Sequence, residues 1–152
     1  MSTPEERLAE LGLAVPEVAK PVAAYVPAVR SGSHVFTAGQ LPLRSGELIA
    51  SGKVVGAVTP ELAKECAQQC ALNALAAIKA EVPLDQVRRI VKLVVFVAST
   101  PDFTGQPGVA NGASELVGEV FGEAGIHARS AVGVPVLPLD APVEVEMIVE
   151  VG

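Results

Sequence analysis

The sequence predicts an α+β fold: a mixed sheet with two helices packed on one face, preceded by a short N-terminal helix. Three segments carry this reading. From Thr59-Pro60-Glu61 to about Glu81, Ala63, Cys66, Ala67, Cys70, Ala74 and Ala77 recur at helical spacing, with Lys64, Glu65, Gln68 and Lys79 opposite. Ile90-Val91-Lys92-Leu93-Val94-Val95-Phe96-Val97 is a β-branched run of strand length, suited to a central position. Val143 to Val151 alternates, with Val143, Val145, Met147, Val149 and Val151 on one face and Glu144, Glu146, Ile148 and Glu150 on the other.

The other elements follow in order. Thr3-Pro4-Glu5-Glu6 supplies an N-cap, a first-turn proline and acidic first-turn residues, so a short helix starts there and stops near Gly12. A connector spans Pro16 to Pro21. Tyr25–Arg30 and His34–Ala38 read as strands of a hairpin around Ser31-Gly32-Ser33. Pro42, Gly46, Gly52 and Gly56 make residues 41–58 loop with short extended pieces. Pro83 ends the long helix. A second helix spans Val109 to Glu123, with Val109, Ala113, Leu116, Val117, Val120 and Phe121 inward and the row Glu115, Glu119, Glu123 solvated. A strand at Ser130–Val134 precedes the last one.

A length of 152 residues fits one domain, with residues 1–20 as N-terminal helix and connector. Half the residues are hydrophobic but only 3% are aromatic, so the core must be built from Val, Ala, Leu and Ile. A formal charge of −6 and few aromatics argue against nucleic acid, which needs a basic stripe and stacking rings. Cys66 and Cys70 lie four apart on one helix face and read as buried small residues rather than a metal site. The charged stretch Met1 to Glu10 does not read as a signal peptide, and no apolar run approaches a membrane span, so a cytoplasmic location is expected. With both helices on one side, the second face of the sheet stays open. The strands at 34–38 and 90–97 should expose Val or Ile there, so oligomerisation is expected.

Ala128-Arg129-Ser130 is the segment richest in chemistry. An arginine beside Ala131, Val132, Val134 and Val136 needs an anion. Glu144 or Glu146 could supply it as a structural ion pair; so could the carboxylate of a small substrate. Without further information Glu144 reads as a solvated strand carboxylate and Tyr25 as a packed ring with an exposed hydroxyl. His127 could act as a base near neutral pH, although an exposed connector histidine is the simpler reading, as it is for His34. Gly105-Gln106-Pro107-Gly108 lacks the strand–GxGxxG–helix context of a nucleotide loop.

Tyr25, Thr37-Ala38-Gly39-Gln40, Val94-Val95-Phe96-Val97, Asn111 opening the second helix, Ala128-Arg129-Ser130, Leu137-Pro138 and Val143-Glu144-Val145-Glu146 occur in the order of a known family. From about Tyr25 onward the chain resembles the Rid family of reactive-intermediate (imine) deaminases, also called YjgF-like. The resemblance implies a chorismate-mutase-like fold, a homotrimer with clefts between subunits, and hydrolysis of 2-imino or enamino acids to 2-keto acids and ammonia without a metal or other cofactor. It implies that Arg129 holds the carboxylate of a small metabolite, Glu144 positions water, and Tyr25, Gly39, Asn111 and Ala131 line the cleft. The alternative is a non-catalytic small-carboxylate binding protein of the same fold. Ala23-Ala24, His127 and Ala131 stand where the family has Gly-Pro, proline and cysteine, and the chain is longer than the family's usual form.

Overall fold

The computed structural model describes residues 2–21 and 23–152; Met1, the first residue of the charged N-terminal stretch, lies outside them. Helix α1 (Pro4–Glu10) begins as its sequence dictates: the Thr3 hydroxyl accepts the Glu6 N–H at 3.1 Å and Pro4 opens the first turn. Gly12 takes a left-handed φ of 75° just beyond its end.

Strands β1 (Ala28–Ser31) and β2 (His34–Thr37) form the expected hairpin, turned by Gly32 at φ 59°. The first strand starts at Ala28, not Tyr25, because residues 23–25 bend and Pro27 has no N–H for a ladder. The loop region holds a two-residue hairpin, β3 (Leu43–Arg44) and β4 (Glu47–Leu48).

Helix α2 (Pro60–Lys79) is capped by Thr59, whose hydroxyl accepts the Leu62 N–H at 3.1 Å. Every inward residue expected from its spacing is buried, and both cysteines are buried and free. Burial pushes the Cys66 thiol up to about 11 and raises that of Cys70 well above the ordinary thiol range, so neither is a nucleophile. Asn73 also lies in the buried face. Its amide donates to the Leu41 and Leu43 carbonyls at 2.9 and 3.0 Å and pins the β3 loop to the helix.

Strand β5 (Val87–Ala98) is longer than its apolar run, and helix α3 (Gln106–Phe121) starts three residues before Val109, with Pro107 in its first turn. Gly122, at φ 61°, ends α3, so Glu123 falls in the turn after it. Glu115 is not merely solvated: it pairs with Lys64 of α2 at 3.1 Å. A Cβ on Gly112 would strike the Lys64 carbonyl, so the two helices cross in backbone contact there.

Strands β6 (Ala128–Val134) and β7 (Val143–Val151) complete a five-stranded sheet in the order β1-β2-β7-β5-β6. Only β5 and β6 run parallel, joined through α3; the other pairs are antiparallel. Burial along β7 alternates residue by residue, as its sequence predicts. Val35, Leu93, Val95, Val97, Val145 and Met147 lie under α2 and α3. The open face carries Phe36, Phe96, Val132 and Ile148, with Phe36 44% and Val132 45% exposed. Val35, the valine expected on this face, belongs to the buried one; its neighbour Phe36 points out. Among the described residues no helix is long and apolar enough to cross a membrane.

Candidate functional site

Arg129 is the second residue of β6, paired in register with Leu93 of β5. Leu93 is wholly buried under the helices, so Arg129 projects to the helix side of the sheet edge. Its Nη1 donates to Asn111 Oδ1 at 2.8 Å and to Ser114 Oγ at 3.1 Å. Asn111 and Ser114 are three apart on α3, so both face β6. Asn111 sits in the second turn of α3, not at its opening, because the helix begins earlier than the sequence suggested.

No carboxylate of the described residues lies within ion-pair distance of Arg129. The expected structural partners, Glu144 and Glu146, are on the wrong strand and the wrong face. β5 separates β6 from β7, and Glu144 pairs with Phe96, three positions from Leu93. The two backbones are therefore about 14 Å apart at these residues. The Arg129 side chain is half-buried and held by neutral oxygens. Because Nη1 has given both protons, the Nε–Nη2 edge remains, with two parallel donors at carboxylate spacing.

Glu144 stands on the open face near the start of β7. Burial, with the neighbouring Glu146 charge adding to it, raises its carboxyl above the usual glutamate range. Gly39 lies against it: a Cβ there would collide with the carboxylate. The approach is held by Gln40, whose N–H donates to the Val145 carbonyl at 2.8 Å and whose carbonyl accepts from Val145 N–H at 3.0 Å. Tyr25 reaches the same end of the sheet, since the Ala38 N–H bonds the Pro27 carbonyl at 2.8 Å; its ring is 48% exposed. The chain thus brings Arg129 to Asn111, and Glu144 to Gly39, but keeps the two groups on opposite faces. Ala131 follows Arg129 on the helix side, packed on the core.

His127 is not an exposed connector histidine. It is half-buried, with Nε2 2.9 Å from Ser114 Oγ and Nδ1 2.6 Å from the Gly125 carbonyl. His34 is also half-buried, its ring centroid 6.4 Å from that of Phe36. Ser114 escaped the sequence reading; the Asn111-x-x-Ser114 spacing on a helix was the signal available for it. Two clefts of the single chain lie away from both charged groups. One, of about 390 Å³, is lined by Lys53, Thr100, Phe103, Gln106 and Gly133; the other lies between α2 and α3. No three His, Cys, Asp or Glu side chains of the described residues gather as a metal-ligand group.

Comparison with known proteins accords with this architecture. The chain is 44% identical over 147 residues to protein TCP17 of Trypanosoma cruzi, covering 95% of this chain and 92% of that one. It is 30% identical over 139 residues to a 2-iminobutanoate/2-iminopropanoate deaminase of Dermatophagoides farinae, covering 90% and 93%. Protein Atu1372 of Agrobacterium tumefaciens, of unknown function, superposes with a TM-score of 0.91 at 44% identity over 98% of this chain and 92% of that one. Escherichia coli TdcF with bound serine gives 0.68 at 27% identity, over 90% and 94%. The family model described as "YjgF/chorismate_mutase-like, putative endoribonuclease" matches residues 5–151. With its mixed sheet, its helices on one face and its matched length, the chain belongs to the YjgF/chorismate-mutase-like family.

Proposed function

We propose that this protein hydrolyses 2-imino or 2-enamino acids to 2-keto acids and ammonia, in a cleft completed by a second copy of the chain within a homotrimer. The observation that carries the reading is Arg129: a half-buried guanidinium tethered by Asn111 and Ser114, with no carboxylate among the described residues to neutralise it. Such a group is costly to hold unless an anion arrives. A planar 2-imino carboxylate fits its open Nε–Nη2 edge. The named activity of the Dermatophagoides relative and the amino acid bound to TdcF are of the same chemical kind.

The reaction asks little of the protein. The imine carbon is already electrophilic; water adds to C2, nitrogen departs as ammonia, and a C=O replaces the C=N. A carboxyl with a raised pKa, as Glu144 has, can take a proton from that water and return one to the leaving nitrogen. Glu144 and Arg129 cannot meet in one chain, so we assign the Arg129–Asn111 half of each cleft to one subunit and the Glu144–Gly39–Tyr25 half to its neighbour. The apolar open face, with Phe36 and Val132, supplies the contact area.

The test is keto-acid release from freshly generated 2-aminoacrylate or 2-iminobutanoate, set against the buffer rate, with light scattering on the same sample. Acceleration by a trimer supports the proposal. A stable monomer at micromolar concentration overturns the shared cleft. Ala131, in place of the family's cysteine, favours one other reading, a small-carboxylate binding protein. It is supported if 2-oxobutanoate binds while no imino acid turns over faster than in buffer.

A further inference from the structure

We infer that Ser114 and His127 are positioning residues for Arg129, forming an uncharged tether that fixes the guanidinium without neutralising it. The inference rests on the carboxylate-clamp reading of Arg129.

For a neutral imidazole, the direction of every proton in the tether follows from its acceptors. The Gly125 carbonyl only accepts, so His127 Nδ1, 2.6 Å away, carries the ring proton. That tautomer leaves a lone pair on Nε2. Ser114 Oγ, 2.9 Å from Nε2, donates its hydroxyl proton there. Its own lone pairs are left to accept from Arg129 Nη1 at 3.1 Å. Arg129, Ser114, His127 and the Gly125 carbonyl thus form one chain of donors running the same way. The far end is rigid. Gly125 is buried, and a Cβ there would run into the Val117 carbonyl of α3, so its backbone is seated hard against the helix.

An arginine side chain loses rotamer freedom when it is fixed. A ligand that had to do the fixing would bind more weakly. A carboxylate in place of Ser114 would hold the guanidinium more strongly but cancel the charge a substrate needs. A serine backed by a neutral histidine orients it and leaves that charge intact. Asn111 does the same for the second Nη1 proton. Ser114 and His127 act in series, so the loss of either breaks the same tether.

The experiment uses Ser114→Ala, Ser114→Thr, Ser114→Asp, His127→Phe and the Ser114→Ala/His127→Phe double variant in the full chain. It measures calorimetric affinity for 2-oxobutanoate, KM and kcat for 2-iminobutanoate, melting temperature, and the crystallographic position of Arg129. Ser114→Ala and His127→Phe are each expected to weaken 2-oxobutanoate binding about 5–15-fold, the worth of one hydrogen bond. KM should rise with kcat changed by less than about threefold, and the double variant should be no worse than the worse single one. Ser114→Thr should recover most of the affinity. Ser114→Asp should keep Arg129 in place and the melting temperature at or above wild type, yet lose more than about tenfold in affinity, because its charge is quenched. Wild-type affinity in Ser114→Ala, or losses that multiply in the double variant, would overturn the tether. So would tight binding by a well-folded Ser114→Asp. If Arg129→Ala binds 2-oxobutanoate as well as wild type, the clamp reading fails instead. The crystal structure still decides the tether in that case: an unmoved, ordered Arg129 in Ser114→Ala refutes it.

Discussion

The two faces of the sheet hold their charged groups in opposite ways. On the helix side, Arg129 is gripped by Asn111 and Ser114 and has no carboxylate partner among the described residues. On the open side, Glu144 is crowded by Glu146 and the backbone at Gly39, and pairs with no cation among the described residues. One face offers a fixed positive edge; the other offers a carboxyl whose proton is easily held. A structural ion pair would have placed the two together, yet the strand order β7-β5-β6 keeps them apart. In the proposed cleft each face is half of a site, and the lesson is that this strand order holds the guanidinium and the carboxyl apart within one chain.

The sharpest way to break this division of labour is Glu144→Gln. Turnover of 2-iminobutanoate should fall about 10²–10⁴-fold, while 2-oxobutanoate affinity changes little. Steady-state assay and calorimetry on the same preparation check both; unchanged turnover would return the proton role to another group. Gly39→Ala probes the same face by displacement. Its new methyl must push the Glu144 carboxylate aside, and a misplaced catalytic group should cost roughly 10²-fold in turnover, with the melting temperature showing whether the fold survives. Arg129→Ala tests the other face. Loss of a charge-assisted clamp should weaken 2-oxobutanoate binding by about 1.5–3 kcal/mol, roughly 10–150-fold. If affinity stays and the melting temperature collapses, Arg129 is structural.

The smallest expected effect is on stability. The folded protein raises the Glu144 carboxyl pKa, so the folded state binds the proton more tightly than the unfolded chain. Below the unfolded value, about 4.3, both states are protonated and Glu144 costs nothing. As pH rises through the window between the unfolded and folded values, stability is lost. Glu144→Gln should therefore melt higher than wild type at pH 7.5, with the gain gone at about pH 3.5. Thermal melts at the two values check the sign.

The elements were legible where periodicity and caps agreed. Thr59-Pro60 and the small-residue spacing located α2, and the valine–glutamate alternation of β7 fixed which side each residue takes. Boundaries drifted where local chemistry is ambiguous. Pro107 opened α3 earlier than its apolar spacing showed, and Pro27 held β1 back from Tyr25. The candidate site residues could be proposed from the sequence but not placed relative to one another. Which strands lie beside one another is set by contacts distant in sequence, so the register that parts Arg129 from Glu144 had no local signature. The polar partners Asn73, Ser114 and His127 were obscured for a related reason: a neutral side chain shows its role only once its acceptor is in place.

The placing of β7 bears on how the chain reaches this structure. It follows every other strand in sequence yet lies between β2 and β5, with Val35 opposite Val149 and Val95 opposite Val145. Until it inserts, the β1–β2 hairpin has no partner sheet, and β5 carries a bare apolar edge. The loop that must close is more than a hundred residues long, which slows the step and leaves sticky strand edges open meanwhile. Amide protection in β2 and in the β7-facing half of β5 should therefore appear together, in one late kinetic phase, rather than spreading outward from either end of the sheet.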